Sequence, residues 1–188
     1  GDPLVTKDGL VGCELKGKTV GIIGLGKIGK RSAELYHAFG CNILASSRSV
    51  HADYPEYIHQ VSRQELLEQS DVVILHCPLN DSTRGMIDKA ALESMKSTAV
   101  LVNLARGPVV KTEDLADALN NGVIAGAAID VFDKEPPLDL DEPLLHAKNT
   151  IVTPHIAFAS KESMSLRAQI VFENLRCFLD GSPVNVVK

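Results

Sequence analysis

The 188-residue sequence has no tryptophan, three tyrosines, five phenylalanines and no apolar run near the roughly 18 residues that a membrane-spanning helix needs. Its four cysteines form no Cys-x-x-Cys pair and stand at no metal-ligand spacing from a histidine, which predicts reduced thiols and no metal site. Lys and Arg number 19 against 24 Asp and Glu, so the formal net charge is −5 and there is no basic excess for a nucleic-acid backbone. These absences predict a cytoplasmic protein without membrane, nucleic-acid or metal partners.

The composition that is present is that of a folded globular domain. Hydrophobic residues make up 45% of the chain and charged residues 23%, which excludes the disordered, collagen-like and coiled-coil classes. From residue 18 onward, short apolar runs alternate with helix-like stretches, as in a parallel sheet with helices on both faces. The predicted strands are 19–23, 42–46, 71–75, 99–103, 124–129 and 150–152. Six such strands predict a doubly wound α/β fold.

Helix start and stop signals fit between these strands. The predicted helices are 27–39, a short helix that begins after Ser62, 112–120 and 160–179. In the first of them, Ile28, Leu35 and Phe39 fall on one face, which predicts that this apolar face is packed. Gly40 is a normal glycine at a helix C-terminus, and Ser62 with Glu65 forms a capping box. Apolar residues at four-three spacing predict that the last of these helices is long and amphipathic.

A glycine-rich turn joins the first predicted strand to the first predicted helix. It comprises Gly24, Gly26 and Gly29, with Lys27 and Ile28 between the last two. In dinucleotide-binding folds the first glycine permits the tight turn, the second lets the backbone approach a pyrophosphate, and the third lets helix and strand pack closely. The helix N-terminus adds free N–H groups and a positive dipole. We predict that these five residues bind a dinucleotide; the alternative is a tight turn without a ligand.

Three further motifs follow the glycine turn in order. They read Val102-Asn-Leu-Ala-Arg-Gly107, Ala128-Ile-Asp-Val-Phe-Asp-Lys-Glu-Pro136 and Thr153-Pro-His-Ile-Ala157. With the glycine turn, they resemble the D-isomer-specific 2-hydroxyacid dehydrogenases from Leu15 to the C-terminus. The resemblance implies the Rossmann cofactor domain of a two-domain enzyme whose N-terminal substrate-domain segment is missing here. The implied divisions are an arm or cut end over 1–16, a dinucleotide-binding domain over 17–159, and a C-terminal helix and tail over 160–188 that return to the substrate domain.

The resemblance also implies a catalytic set in which Arg106 binds the substrate, His155 is the general acid/base, and Glu135 is the acidic partner. Reduction of a 2-oxo acid needs a proton at the carbonyl oxygen, and an imidazole with a pKa of about 6.5 supplies one near neutral pH. A nearby carboxylate favours the protonated imidazole, and a guanidinium binds a carboxylate bidentately. The ordinary alternatives are a loop histidine, a turn-capping arginine and a solvated loop carboxylate.

Four other positions match cofactor contacts of the family. The resemblance implies that Pro78 lines the adenosine side, that Thr83 lies near the nicotinamide half, and that Asp130 receives the carboxamide. Ala105 is implied to contact the cofactor through its backbone.

The type of dinucleotide is predicted from the end of the second strand. In this fold an acidic residue there binds the adenosine ribose hydroxyls and selects NAD. The resemblance places Ser47 at that position, and Arg48 follows it. No carboxylate would repel a 2′-phosphate, and a guanidinium is available to bind one, so NADP(H) is favoured while NAD(H) is not excluded. The alternative is that Arg48 lies over the adenine or points away while Ser47 binds a ribose hydroxyl.

The resemblance implies an oxidoreductase that transfers a hydride between a nicotinamide dinucleotide and a small 2-oxo or 2-hydroxy acid of D configuration. The chain alone is expected to bind dinucleotide without turnover, because it holds the cofactor portion. The family is commonly dimeric, which predicts a homodimer. One alternative is a dinucleotide-sensing, corepressor-like interaction protein of the same fold. Another, a nucleotide- or S-adenosylmethionine-binding module, leaves the three later motifs unexplained.

Overall fold

Seven parallel strands form one sheet in the computed structural model, which describes residues 12–48, 54–134 and 137–186. The strands are β1 Thr19–Ile23, β2 Asn42–Ser46, β3 Ile58–Gln60, β4 Val72–Leu75, β5 Val100–Asn103, β6 Gly126–Ile129 and β7 Thr150–Val152. They lie side by side in the order β3-β2-β1-β4-β5-β6-β7. The direction of strand addition reverses between β1 and β4, which is where open α/β sheets bind ligands. The predicted doubly wound α/β fold class is confirmed.

Six α-helices and a short 3-10 helix over Gly107–Val109 accompany the strands in the described part of the chain. The α-helices are α1 Lys27–Ala38, α2 Arg63–Gln69, α3 Lys89–Ser94, α4 Thr112–Asn120, α5 Pro143–His146 and α6 Lys161–Leu179. The Ser62 hydroxyl caps α2 by accepting from the Glu65 amide at 3.1 Å. Gly40 follows α1 with a φ of 81°, as expected of a glycine that ends a helix.

The strands are apolar because the sheet is covered on both faces. Val20 and Ile22 of β1 are fully buried in one layer of the core, together with Ala33 of α1. Ile23 of β1 and Val73 of β4 belong to the other layer, which includes leucines from α2, α3 and α4. The two layers hold the strand ends in a fixed register, so the loops that follow them form one continuous edge.

Several features differ from the sequence prediction. β3 is an additional edge strand of three residues, and α3 and α5 are additional helices of six and four residues, all too short to give a periodic pattern. The predicted apolar face of the first helix does not pack on the sheet: Ile28, Leu35 and Phe39 are 69%, 47% and 63% exposed. α1 buries Gly29 and Ala33 instead, because these small residues let the helix lie close to the strands.

Residues 155–188 form a second compact unit, separate from the unit over residues 1–154. Its main element is the long α6, which confirms the predicted helix and begins with a capping box between Ser160 and Ser163. None of the side chains of this fully described helix is buried. Among the residues that the structure describes, no helix is both long and apolar enough to cross a membrane.

Candidate functional site

A cavity of about 520 Å³ lies in the first unit, where the loops after β3, β2, β1 and β4 meet. Its lining residues are Ile23, Gly24, Leu25, Gly26, Ser46, Ser47, Arg48, Tyr54, Arg63, His76, Cys77, Pro78, Asn80, Ser82, Thr83 and Met86. The predicted cofactor residues among them are Gly24, Gly26, Ser47, Arg48, Pro78 and Thr83. The walls follow the strand order, because the carboxyl ends of parallel strands share one edge of the sheet.

Close backbone approaches require the first and third glycines of the turn. Gly24 has a φ of 100°, and a Cβ there would lie 2.6 Å from the Cys77 nitrogen and from the His76 carbonyl carbon. A Cβ at Gly29 would lie 2.1 Å from the Gly24 oxygen. Any side chain would therefore push α1 away from β1 or displace the loop after β4. Both glycines are therefore needed to build the turn.

Gly26 differs from its neighbours because its missing side chain leaves open space at the cavity wall. It is the N-cap of α1 with a φ of −73°, and a Cβ there would meet no atom within 4 Å. In this fully described helix no side chain caps the N-terminus and no acidic residue stands in the first turn, so its N–H groups are available to an anion. This cradle fits the pyrophosphate of a dinucleotide. Lys27 and Ile28 are exposed in the first turn and do not line the cavity.

Ser47 and Arg48 extend the wall beyond the end of β2. Ser47 is half-buried, whereas Arg48 is exposed at the rim. None of the described residues that line the cavity is acidic. The described wall therefore has positive charge from guanidinium groups and no carboxylate that would repel a phosphate.

The loop after β4 forms the opposite wall and is closed by its own hydrogen bonds. The Thr83 hydroxyl donates to the Pro78 carbonyl oxygen at 2.7 Å and accepts from the Asn80 amide at 2.9 Å. The Ser82 amide donates to Asn80 Oδ1 at 3.0 Å. Pro78 and Thr83 both line the cavity, and the Thr83 hydroxyl is engaged in shaping the loop.

Two titratable side chains lie between the glycine turn and this loop. His76 Nε2 is 2.9 Å from the Ser32 hydroxyl of α1, and burial lowers the pKa of His76, so the imidazole is neutral near pH 7. Burial raises the pKa of the Cys77 thiol, which therefore stays protonated. His76 connects the end of β4 to α1, and neither group adds charge to the cavity.

The loop after β5 carries the predicted Ala105 and Arg106. Asn103, which the sequence analysis did not single out, is buried and shapes this loop: its Oδ1 accepts from the Ala105 amide at 3.0 Å, and its Nδ2 donates to the Arg106 carbonyl at 3.1 Å. A Cβ at Gly107 would lie 2.0 Å from the Phe132 carbonyl, so the loop packs directly on the loop after β6. An asparagine directly before a turn is the sequence signal for such a role. The Arg106 side chain is exposed, and its Nη1 donates to the Ala105 carbonyl at 2.6 Å.

Asp130 is held at the carboxyl end of β6. It is 3% exposed, and its Oδ1 accepts from the Thr153 hydroxyl at 2.5 Å. Its amide donates to the Asn103 carbonyl at 3.1 Å, and the Thr153 amide donates to the Ile129 carbonyl at 2.9 Å. Asp130 therefore has a fixed orientation at the ends of three neighbouring strands.

The predicted catalytic residues lie in different parts of the chain. Arg106 belongs to the first unit, His155 begins the second, and Glu135 lies outside the described residues. His155 has a φ of 55°, and its ring contacts Phe158 edge-on with 5.7 Å between the centroids. Such backbone conformations are uncommon for non-glycine residues and are concentrated at functional sites. Within the described ranges, no group of three or more His, Cys, Asp or Glu side chains could hold a metal ion.

The match to a family decides the identity of this domain. The family model described as D-isomer specific 2-hydroxyacid dehydrogenase, NAD binding domain, matches residues 4–157. The chain belongs to this family. The resemblance predicted from the motifs is confirmed, and so is a domain of the NAD(P)-binding kind.

Individual curated proteins and solved structures match nearly all of this chain. A hydroxypyruvate reductase of Blautia hydrogenotrophica is 46% identical over 175 residues, which are 93% of this chain and 54% of the relative. The NAD-complexed D-isomer specific 2-hydroxyacid dehydrogenase from Lactobacillus delbrueckii ssp. bulgaricus is 32% identical with a TM-score of 0.85, covering 94% of this chain and 57% of its own. An acyclic imino acid reductase in complex with NADPH and D-Arg is 31% identical with a TM-score of 0.87. The match covers 97% of this chain and 58% of the reductase. The chain thus spans about half the length of these similar proteins.

Proposed function

We propose that this chain serves an oxidoreductase that transfers a hydride between a nicotinamide dinucleotide and a small 2-oxo or 2-hydroxy acid of D configuration. The observation that carries the proposal is the cavity at the switch point of the sheet, with the open cradle at Gly26 and the N-terminus of α1 in its wall. When bound, the dinucleotide would supply the hydride chemistry. The names of the relatives are those of reductases and dehydrogenases, which does not favour the corepressor-like alternative.

The chain's own residues would bind and orient the dinucleotide. The glycine turn and α1 would hold the pyrophosphate, and Ser47 with Arg48 would hold the ribose of the adenosine. Asp130 would receive the carboxamide, a role supported by the Thr153 hydrogen bond that fixes its carboxylate. Ala105 would contribute through its backbone, which Asn103 holds in place.

The same proposal assigns the proton and the substrate carboxylate to three side chains. Arg106 would bind the substrate carboxylate bidentately and polarise the adjacent carbonyl. His155 would donate a proton to the carbonyl oxygen during reduction and accept it in the reverse direction. Glu135 would favour the protonated imidazole. The C-terminal residues 160–188 would return to a substrate domain, which is supported by the fact that α6 buries none of its side chains.

A substrate screen of the natural protein that contains this chain tests the proposed function. Hydroxypyruvate, glyoxylate, pyruvate, phosphohydroxypyruvate and branched 2-oxo acids are each assayed with NADH and NADPH. Turnover of at least one acid to the D-hydroxy product is expected. Dinucleotide binding without turnover of any acid would refute the proposed activity.

The 188-residue chain by itself is expected to bind dinucleotide but not to turn over 2-oxo acids. The glycine turn and Asp130 lie within it, whereas orienting the substrate and excluding water require closure of a second domain. Steady-state assays of this chain beside the natural protein measure the difference. If the 188-residue chain reduced any 2-oxo acid at a rate comparable with that of the natural protein, the chain alone would form the whole catalytic site.

NADPH is expected to bind at least about tenfold more tightly than NADH, a difference of about 1.4 kcal/mol. Arg48 provides positive charge at the adenosine end, and the described cavity wall holds no carboxylate. Because this attraction is electrostatic and solvent-exposed, added salt should reduce the preference. The chain has no tryptophan for quenching, so calorimetric titration at low and moderate salt is the natural measurement. Equal affinities, or tighter NADH, would contradict the NADP(H) preference and leave the dehydrogenase proposal intact.

We also propose a homodimer that uses the exposed face of α1. Ile28, Leu35 and Phe39 lie on that face, and contiguous exposed apolar surface marks interaction sites. Sedimentation equilibrium is expected to show a dimer for the wild type and a monomer for Phe39→Glu. A dimer that survives Phe39→Glu unchanged would place the interface elsewhere.

A cytoplasmic location is the last part of the proposal. It is supported by the four cysteines, all of which are free thiols.

A further inference from the structure

A second arginine lines the cavity from an element outside the glycine turn and the three later motifs. Arg63 is the first residue of α2 and lines the same cavity as Arg48 and Tyr54. Neither arginine makes an ion pair or a side-chain hydrogen bond with any residue in the described part of the chain. An arginine with no partner on a concave wall is available to a ligand.

Backbone pairing explains why these two arginines line one cavity. β2 and β3 are parallel, with Ala45 opposite Gln60, and the Val61 amide continues the ladder by donating to the Ala45 carbonyl at 3.0 Å. The chain therefore leaves both strands at the same end, into Ser47 and Arg48 on one side and into Ser62 and Arg63 on the other. The Ser62 cap then fixes the first turn of α2, on which Arg63 stands.

The charge at this end of the cavity suits a doubly charged anion. Arg48 and Arg63 each carry a positive charge, and none of the described lining residues is acidic. Lys30 adds a third cation close by, with its Nζ 4.7 Å from the ring centroid of the lining Tyr54. Without an anion, positive charges that share one cavity repel each other. A phosphate monoester, with a charge of about −1.5 to −2 at pH 7, would neutralise two of them.

The strand order separates this end from the pyrophosphate cradle. Gly24 and Gly26 follow the inner strand β1, whereas Arg48 follows β2 and Arg63 comes after the edge strand β3. We propose that Arg63 is a specificity-determining residue that binds the 2′-phosphate of NADP(H) together with Arg48. This inference rests on the proposed function, since it assumes a dinucleotide in the cavity.

The test compares ligands with and without the 2′-phosphate on Arg63→Ala. Calorimetric titrations of the chain use NADPH, NADH, adenosine 2′,5′-bisphosphate and 5′-AMP. Arg63→Ala is expected to weaken NADPH and the bisphosphate by about tenfold, because one charge-assisted contact is lost, while NADH and 5′-AMP change by less than about twofold. Alanine is a good helix former and Ser62 keeps the cap, so the variant is expected to fold.

Arg31→Ala is the matched control, since it removes the same charge from α1 at an exposed residue that pairs with Glu34 and does not line the cavity. It is expected to bind all four ligands like the wild type. Equal weakening of NADPH and NADH by Arg63→Ala would overturn the inference by placing Arg63 on a shared part of the dinucleotide. Unchanged affinity for all four ligands would overturn it as well. If the wild type binds neither dinucleotide, the proposed function fails and this inference fails with it.

Discussion

His155→Asn is expected to lower kcat of the natural protein by about 10²–10⁴, the usual contribution of a positioned acid/base, with little change in dinucleotide affinity. The proton that the carbonyl oxygen needs has no other proposed donor. Asparagine is chosen because His155 has a φ of 55°, a conformation that asparagine adopts more readily than alanine or glutamine. Steady-state kinetics on the best 2-oxo acid and titration of the dinucleotide measure the two effects separately.

His59→Asn provides the matched control for this prediction. His59 is exposed on β3 and does not line the cavity, so the same substitution there should leave kcat unchanged. Turnover of His155→Asn near the wild-type rate would mean that another group supplies the proton.

Gly26→Val is expected to weaken the binding of both dinucleotides by about 100-fold or more, about 2.7 kcal/mol, while the domain stays folded. A side chain at this position projects into the open space at the N-terminus of α1, where the pyrophosphate would lie. Because φ is −73° and no atom lies within 4 Å of the added Cβ, the fold tolerates the change. Loss of the glycine N-cap should lower the free energy of unfolding by about 1 kcal/mol. Calorimetric titration and urea unfolding measure the two quantities.

Gly29→Ala separates this effect from damage to the turn. Its Cβ would lie 2.1 Å from the Gly24 oxygen, so it should lower the free energy of unfolding by about 1–3 kcal/mol or more. If Gly26→Val bound NADH and NADPH like the wild type, the pyrophosphate would not lie at this helix end.

The sheet could be predicted from the sequence because most of its strands are covered on both faces and are therefore apolar. The face of α1 could not be predicted in the same way, since Gly29 and Ala33 pack on the sheet while the larger Ile28 and Phe39 are exposed. Periodicity shows that a helix has an apolar stripe, but it does not show what covers that stripe. β3 was missed because three residues carry no period.

The glycine turn could be predicted because it is formed by consecutive residues between β1 and α1. The roles of Arg63 and Asn103 depend on contacts between distant or backbone groups, which the local sequence does not reveal. Arg63 lies in a capping-box segment that signals only where a helix begins, and it lines the cavity because β3 pairs with β2. Asn103 lies within a motif, yet its role comes from its side-chain hydrogen bonds to the backbone of Ala105 and Arg106, which the sequence does not show.

The most direct test of the dinucleotide site is to follow the amide resonances of the chain while NADPH is added. We expect saturable shifts at Gly24, Gly26 and Arg48, which line the cavity after β1 and β2. Asp117 and Val123, which line a smaller cavity of about 210 Å³ between α3 and α4, should stay unshifted and serve as the internal control. Saturation with shifts confined to residues outside the 520 Å³ cavity, or no shifts at all, would contradict the assignment of this cavity as the dinucleotide site.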